Sequence, residues 1–313
     1  MRAATMVDGS VEAREHPDPR PGLGQLLVRV RAAGINAADL MQVRGGYPAP
    51  PGVPADIPGL ELAGEVEAIG PGTTRFAVGD RVMAVVGGGG QAERAVIHER
   101  EAMPVPSRLT WEQAGGVPEV FTTAHDALFT QCALTMGERV CVHGAAGGVG
   151  TAGVQLACAA GASVVATVRN PDLRPAVAGL GATAIEPDET VGYGPYDVVL
   201  ELVGAPNMTA NFDALAIGGR ISVIGVSGGP SAEIDLRILM VKRAHMYGST
   251  LRTRPPEQKA IAARAVEAAV LPLFEAGRLT VPIAATFPLE RAADAYERFA
   301  AGGKFGKIVL MMP

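Results

Sequence analysis

The chain has 313 residues, of which 48% are hydrophobic and 19% charged, and its formal net charge is −5 with a pI near 5.6. That length suits two domains of roughly 100–200 residues each, and an acidic balance with no long basic run argues against nucleic acid as a partner. The opening MRAATMVDGS lacks the apolar core of a signal peptide, so a cytoplasmic protein is expected. Cys132, Cys141 and Cys158 are odd in number, sit in apolar surroundings and form no C-x-x-C pair. Buried free thiols are expected rather than disulfides or a metal centre.

Residues 1–116 read as short strands punctuated by glycine and proline, an irregular β domain with long loops. Leu26–Ala32 alternates, with Leu26, Val28 and Val30 on one side and Leu27, Arg29 and Arg31 on the other. Glu65–Ile69 and Arg81–Val86 repeat that habit. Thr110–Thr130 places Trp111, Ala114, Val117 and Phe121 at rough helical spacing, with Pro118 as a break.

The organising stretch is Arg139–Asn170. Arg139–His143 reads as a short buried strand that runs into Gly144-Ala145-Ala146-Gly147-Gly148-Val149-Gly150. From Thr151 the period turns helical, Gly161 stops the helix, and Ser163–Val168 is a second strand. Strand, glycine turn, helix and strand form the first unit of a dinucleotide-binding domain. Gly147 lets the backbone approach a pyrophosphate at the helix N-terminus, and Gly150 allows helix and strand to pack closely, while Ala145 stands where G-x-G-x-x-G has its first glycine. A membrane span is the rival reading, since Val140–Val168 is uncharged and longer than the ~20 residues that cross a bilayer. Its glycines and its change of period argue against that.

Tyr196–Leu202 and Arg220–Val226 are apolar runs suited to the middle of a parallel sheet, and Met246–Ser249 is a further strand. Glu257–Ala276 reads as a helix kinked near Pro272, Leu289–Phe299 as another, and Lys307–Met311 as a closing strand. These last elements are too few for a third core. The expected plan is therefore residues 1–116 as a first domain, 117–254 as the nucleotide domain and 255–313 as a return that completes the first. The second strand ends in Arg169 with Arg174 following, where an NAD enzyme would carry an acid for the ribose hydroxyls. A guanidinium there offers a charge-assisted fork for a 2′-phosphate, which points to NADPH; a solvated arginine at a strand end is the plain alternative.

Several motifs in order then carry a family resemblance. They are Gly34-Ile35-Asn36-Ala37-Ala38-Asp39-Leu40-Met41-Gln42, Gly46-Tyr47 with Pro50-Pro51-Gly52, Pro58-Gly59-Leu60-Glu61, Val117-Pro118-Glu119 with Thr123-Ala124, Gly144–Gly150, Gly248-Ser249-Thr250-Leu251-Arg252 and Gly306-Lys307-Ile308-Val309. Across essentially its whole length the chain resembles the zinc-independent quinone oxidoreductases, the zeta-crystallin-like branch of the medium-chain dehydrogenase/reductase superfamily. The resemblance implies an α/β protein with a GroES-like β-barrel catalytic domain, a Rossmann doubly wound parallel-sheet domain, and a nicotinamide held in the cleft between them. Asn36 and Leu60 stand where zinc alcohol dehydrogenases would carry a cysteine and a histidine, so no metal is expected.

By the same resemblance Thr123 holds the nicotinamide amide, Asn36 and Tyr47 orient the acceptor, and Ala145, Gly147, Gly148, Val149, Gly150, Val203 and Gly225 contact the cofactor. Asn36 is also a natural N-cap or turn residue, and Tyr47 a loop tyrosine that could serve packing alone. Asp39 and Glu61 are read as loop-holding carboxylates rather than a catalytic pair. Gly87–Gly90 is either a flexible turn or a stretch near the cofactor. The implied activity is hydride transfer from NADPH to a small quinone, by positioning and with no base that works near neutral pH. The alternatives are reduction of an enal or enone double bond and nucleotide binding without turnover. The partners implied are a small-molecule substrate and a second copy of the chain, a homodimer made by an outer strand of the Rossmann sheet, with Arg220–Val226 or Met246–Ser249 as the edge.

Overall fold

The first unit opens on a hairpin, β1 (Arg2–Val7) and β2 (Ser10–Glu15), which reverses at Asp8 and Gly9, both at positive φ. β3 (Gln25–Ile35) follows and extends the alternation that begins at Leu26 until both faces are buried from Ala32 to Ile35. Then come α1 (Ala37–Val43), β4 (Glu61–Ile69), β5 (Arg81–Val85), β6 (Arg94–His98), β7 (Ala102–Pro104), α2 (Trp111–Ala114) and α3 (Pro118–His125). Pro118 is the first residue of α3 rather than its interruption; proline's missing N–H costs nothing there, and the break falls at Gly115–Val117 instead. A π-helical turn, Asp126–Gln131, continues from α3.

The second unit holds β8 (Arg139–Val142), α4 (Gly148–Ala159), β9 (Ser163–Thr167), α5 (Arg174–Ala178), β10 (Thr183–Ile185), β11 (Tyr196–Glu201), α6 (Met208–Ala214), β12 (Leu215–Val223), α7 (Leu236–Lys242) and β13 (His245–Gly248). Its six strands are all parallel in the order β10-β9-β8-β11-β12-β13, so the order reverses between β8 and β11. That is the doubly wound Rossmann arrangement, with ligands bound beyond the carboxyl ends of the strands at the reversal. α4 starts at Gly148, three residues before Thr151, and ends at Ala159, capped by Ala160 with Gly161 at φ 81°. The segment Arg220–Val226 is not an edge: β12 pairs with β11 on one side and β13 on the other, which leaves β13 as the edge strand at that end and β10 at the opposite one.

The chain then returns through α8 (Pro256–Ala269), α9 (Leu271–Glu275), β14 (Ile283–Pro288), α10 (Ala292–Ala300) and β15 (Lys307–Met311). The expected single helix of Glu257–Ala276 is two, parted at Val270, because Pro272 is tolerated only in the first turn of the second. β15 pairs antiparallel with β3 and parallel with β14, giving a seven-stranded sheet in the order β14-β15-β3-β4-β5-β7 with β6 also on β3. Leu26, Val28, Val30, Leu62, Val82, Ile308 and Leu310 meet Ala295 and Tyr296 of α10 in its core. The computed structural model describes residues 1–313, and their contacts divide them into Met1–Thr122 with Leu251–Pro313, and Thr123–Thr250.

Candidate functional site

In the second unit, Gly144 turns the chain out of β8 at φ 63°, and Gly147 caps α4 without any side chain to fill its first turn. The first backbone bonds of that helix run from Thr151 N to Gly147 O, so the N–H groups of Gly148, Val149 and Gly150 have no helical acceptor. No acidic side chain sits in the turn. These free donors and the positive end of the helix dipole suit an anionic pyrophosphate, and a Cβ on Gly147 would meet only Gly144 O, at 3.5 Å. Gly150 has a different task from the expected one. Its Cβ would lie 2.5 Å from Gly144 O and 2.6 Å from Ala145 Cα, against the loop, whereas Gly153 is the glycine pressed on the sheet, 2.6 Å from Leu200 Cδ2. Buried Ala145 donates its N–H to Thr167 O.

Arg169 follows β9 and is exposed. Arg174 is engaged: its Nε donates to Val168 O at 3.1 Å and its Nη2 pairs with Glu186 Oε1 at 2.7 Å. Thr123 is buried on α3. Val203 and Gly225 follow β11 and β12 at the carboxyl ends of the strands, and both depend on Glu201. The Val203 N–H donates to its Oε1 at 2.7 Å, and the Gly225 N–H to its main-chain oxygen at 3.2 Å. Glu201 Oε1 also accepts from Gly204 N at 2.8 Å and Asn207 Nδ2 at 3.1 Å, and Oε2 from Asn211 Nδ2 at 2.6 Å. Asn211 Oδ1 meets His143 Nε2 at 2.6 Å, while His143 Nδ1 meets Thr167 Oγ1 at 2.9 Å. Burial pushes the His143 pKa down, against the pull of Glu201, and the pattern fits a neutral ring protonated at Nε2.

In the first unit a second polar cluster is buried. Asn36 caps α1, its N–H donating to Asp39 Oδ2 at 2.8 Å. Its side chain is anchored at both ends: Nδ2 donates to Glu61 Oε1 at 2.9 Å and Oδ1 accepts from Lys307 Nζ at 2.7 Å. Lys307 Nζ also reaches Glu61 Oε1 at 2.6 Å and Ile35 O at 3.2 Å, which uses all three of its N–H bonds. Asp39 Oδ1 accepts from Gly59 N at 3.1 Å, and burial pushes its carboxyl up to about 6 against those bonds. Asp39 and Glu61 therefore hold loops and a cation. Arg252 lies over the Tyr47 ring, 4.8 Å from its centroid, and donates to Gly87 O, Tyr47 O and Gln42 Oε1. Burial raises the pKa of the half-buried Tyr47 phenol. Gly87–Gly90 is packed rather than a free turn: Gly90 has room only for hydrogen, with Glu61 O at 2.8 Å from its would-be Cβ.

The amino-acid sequence matches the family model described as alcohol dehydrogenase GroES-like domain over residues 22–107, and that described as zinc-binding dehydrogenase over residues 161–310. It is 32% identical to a quinone oxidoreductase of Rattus norvegicus, covering 94% of this chain and 91% of that one. The chain belongs to the quinone oxidoreductase family. That family lies within the medium-chain dehydrogenase/reductase superfamily, so the protein is an oxidoreductase that uses a pyridine nucleotide. An alcohol dehydrogenase superfamily protein from Novosphingobium aromaticivorans superposes with a TM-score of 0.88 at 30% identity, each chain fully covered. A mycobacterial protein solved in complex with NADPH gives 0.87 at 26% identity, covering 99% of this chain and 100% of that one. No group of three or more His, Cys, Asp or Glu side chains in this oxidoreductase is arranged to hold a metal ion, and no helix is long and apolar enough to cross a membrane.

The cluster contains residues to which sequence reasoning gave no site role. Lys307 and Glu201 each left a trace, a charge at the head of KIVLM and a second charge, after Asp197, in the largely apolar YDVVLEL. Glu119 and Arg252 entered only as part of a resemblance, and their partners are too distant in the chain to be paired by pattern.

Proposed function

We propose that this oxidoreductase transfers hydride from NADPH to small quinones without a metal. The observation that carries the nucleotide half is the uncapped start of α4, where the N–H groups of Gly148, Val149 and Gly150 face the strand-order reversal with no acid in the turn. The quinone half rests on likeness to quinone oxidoreductases. The bound nucleotide supplies the hydride; the chain supplies position. Asn36 is held by Glu61 and Lys307 and keeps one amide N–H for an acceptor oxygen, and Tyr47 offers a phenol whose ring is fixed under Arg252. Such alignment is worth several kcal/mol for an electrophile that is already reactive.

A substrate panel of small quinones and enones with NADPH tests this reading, scored by loss of the reduced cofactor's absorbance. Steady quinone turnover is expected. Tyr47→Phe should lower kcat/KM for quinones by about ten- to a hundredfold, a loss of about 1.4–2.8 kcal/mol, with NADPH binding nearly unchanged. Abolished turnover in that variant, or an enone preferred to every quinone, would favour the double-bond reductase instead. Absence of turnover with both would leave a nucleotide-binding protein.

NADPH is preferred to NADH in this reading because exposed Arg169 is free for a 2′-phosphate, whereas Arg174 braces Glu186 and cancels its charge. Arg169→Ala should weaken NADPH about ten- to a hundredfold and leave NADH unchanged, the loss of one charge-assisted contact of about 1.5–3 kcal/mol. An unchanged ratio of the two affinities excludes that role.

The same reading takes the protein as a homodimer through β13. That strand is one of the two edges of the parallel sheet, with β10 the other, and Met246 on it is exposed together with Leu236, Met240 and Val241 of α7. A bare apolar edge invites pairing with its twin. Light scattering should give about twice the chain mass, and Met246→Lys should halve it; a monomeric wild type rules the dimer out.

A further inference from the structure

Glu119 is the second residue of α3, and its backbone N–H donates to Glu61 Oε2 at 2.9 Å. Its carboxyl lies within electrostatic reach of Glu61, Asp39, Lys307, Arg252 and Tyr47. Every one of the neighbouring charges is already committed. Glu61 is filled by Asn36, Lys307 and the Glu119 N–H, and Asp39 by the N–H groups of Asn36 and Gly59. Lys307 spends its three N–H bonds on Glu61, Asn36 and Ile35, and Arg252 is bound to Gly87, Tyr47 and Gln42. No donor from the protein reaches the Glu119 carboxyl, although the residue keeps partial exposure. A carboxylate here would face two others with no hydrogen bond of its own. Burial first, then Glu61 and Asp39, push it up to about 8, so it carries its proton at neutral pH.

We propose that Glu119 is the carboxylic acid that gives the reduced acceptor its proton. The inference rests on the reductase reading above and names the proton source in that same site. A bound reduced nicotinamide would supply hydride, a proton with two electrons, and would itself be oxidised, which would leave the acceptor as an anion. The Glu119 O–H bond then breaks, its electron pair stays on the carboxylate, the proton bonds to the acceptor, and water restores the acid. An acid joined through Glu61 to Asn36, the residue that orients the acceptor, supplies this proton without waiting for one from bulk water, and serves a phenolate oxygen or an enolate carbon alike.

The test uses the full chain with NADPH and a small quinone or enone that the panel identifies. Wild-type kcat should fall as pH rises through about 8. Glu119→Gln should remove that limb and lower kcat at pH 7 by ten- to a hundredfold, and Glu119→Asp should retain the limb with intermediate kcat. A readout that needs no turnover is infrared difference spectroscopy, in which a protonated carboxyl band present at pH 7 should vanish above pH 8 and be missing from Glu119→Gln. Thermal melts give the sign independently. The folded state keeps a proton that the unfolded chain releases near pH 4.5, so the Glu119 contribution to stability is full below that pH and is lost as pH rises to about 8. The Gln variant lacks that slope. Wild-type kinetics and pH profile in a folded Glu119→Gln would overturn the proposal while leaving the reductase reading intact. A wild type inactive on every acceptor would overturn the reductase reading, and with it the proton's destination.

Discussion

Lys307→Met will destabilise the first unit by about 3–5 kcal/mol, the usual cost of stripping one partner from a buried ion pair. Lys307 and Glu61 are 2.6 Å apart, with side chains only 3% and 0% exposed. The methionine fills the space of the lysine stem, so the loss isolates charge and hydrogen bonding from volume. Glu61 keeps the amide of Asn36 and the N–H of Glu119 but no cation, while Asn36 Oδ1 and Ile35 O lose their donor. Urea unfolding should show a lower midpoint at unchanged slope. Adding Glu61→Gln to Lys307→Met should recover part of the loss, because a neutral amide does not need the missing cation. A single variant within about 1 kcal/mol of wild type would mean that the pair contributes little and that its partners are satisfied by water.

Glu201→Ala will have a comparable effect on the second unit, and there it reaches the loop proposed to contact the nucleotide. The substitution leaves four donors without an acceptor: the N–H groups of Val203 and Gly204, and the side-chain amides of Asn207 and Asn211. Two of the four, on Gly204 and Asn211, are buried, and at about 1–3 kcal/mol for each unsatisfied buried donor a loss of about 2–6 kcal/mol is expected. Gly204 sits at φ 102°, so the loop after β11 relies on that carboxylate to hold an unusual backbone. Affinity for the pyridine nucleotide should fall together with stability. Hydrogen exchange at Val203 and Gly204 should accelerate more than at Val140 or Val198, in the centre of the sheet. Glu201→Gln, which keeps one oxygen, should lose less than half as much. Equal loss in both variants would place the effect in the carboxylate's charge rather than in its four bonds.

The βαβ unit around Arg139–Asn170 was legible because its signals are local. A period of two, a glycine run, a period of 3.6 and a stop at Gly161 each follow from backbone geometry within a few residues. Strand runs such as Tyr196–Glu201 and Lys307–Met311 were legible for the same reason, since burial on both faces demands apolar side chains wherever the neighbours lie. Which glycine does which task was not. Gly150 and Gly153 differ only in what stands opposite their α-carbons, loop backbone for one and Leu200 for the other. Which of two candidate strands lies at an edge of the parallel sheet was likewise a matter of strand order: pairing alone decides that β12 is interior and β13 terminal.

The amino-acid sequence by itself determined the secondary elements, the nucleotide turn and the family motifs, because period, turn chemistry and glycine conformation act over a few residues. Only the tertiary structure decided the state of the acidic cluster. Glu61 meets Lys307 across 246 positions, and Glu119 meets Glu61 across 58. Whether a carboxyl is an ion, a loop clamp or a held proton depends on how many donors the fold brings to it and how much water it leaves, and neither quantity is written in the spacing of residues.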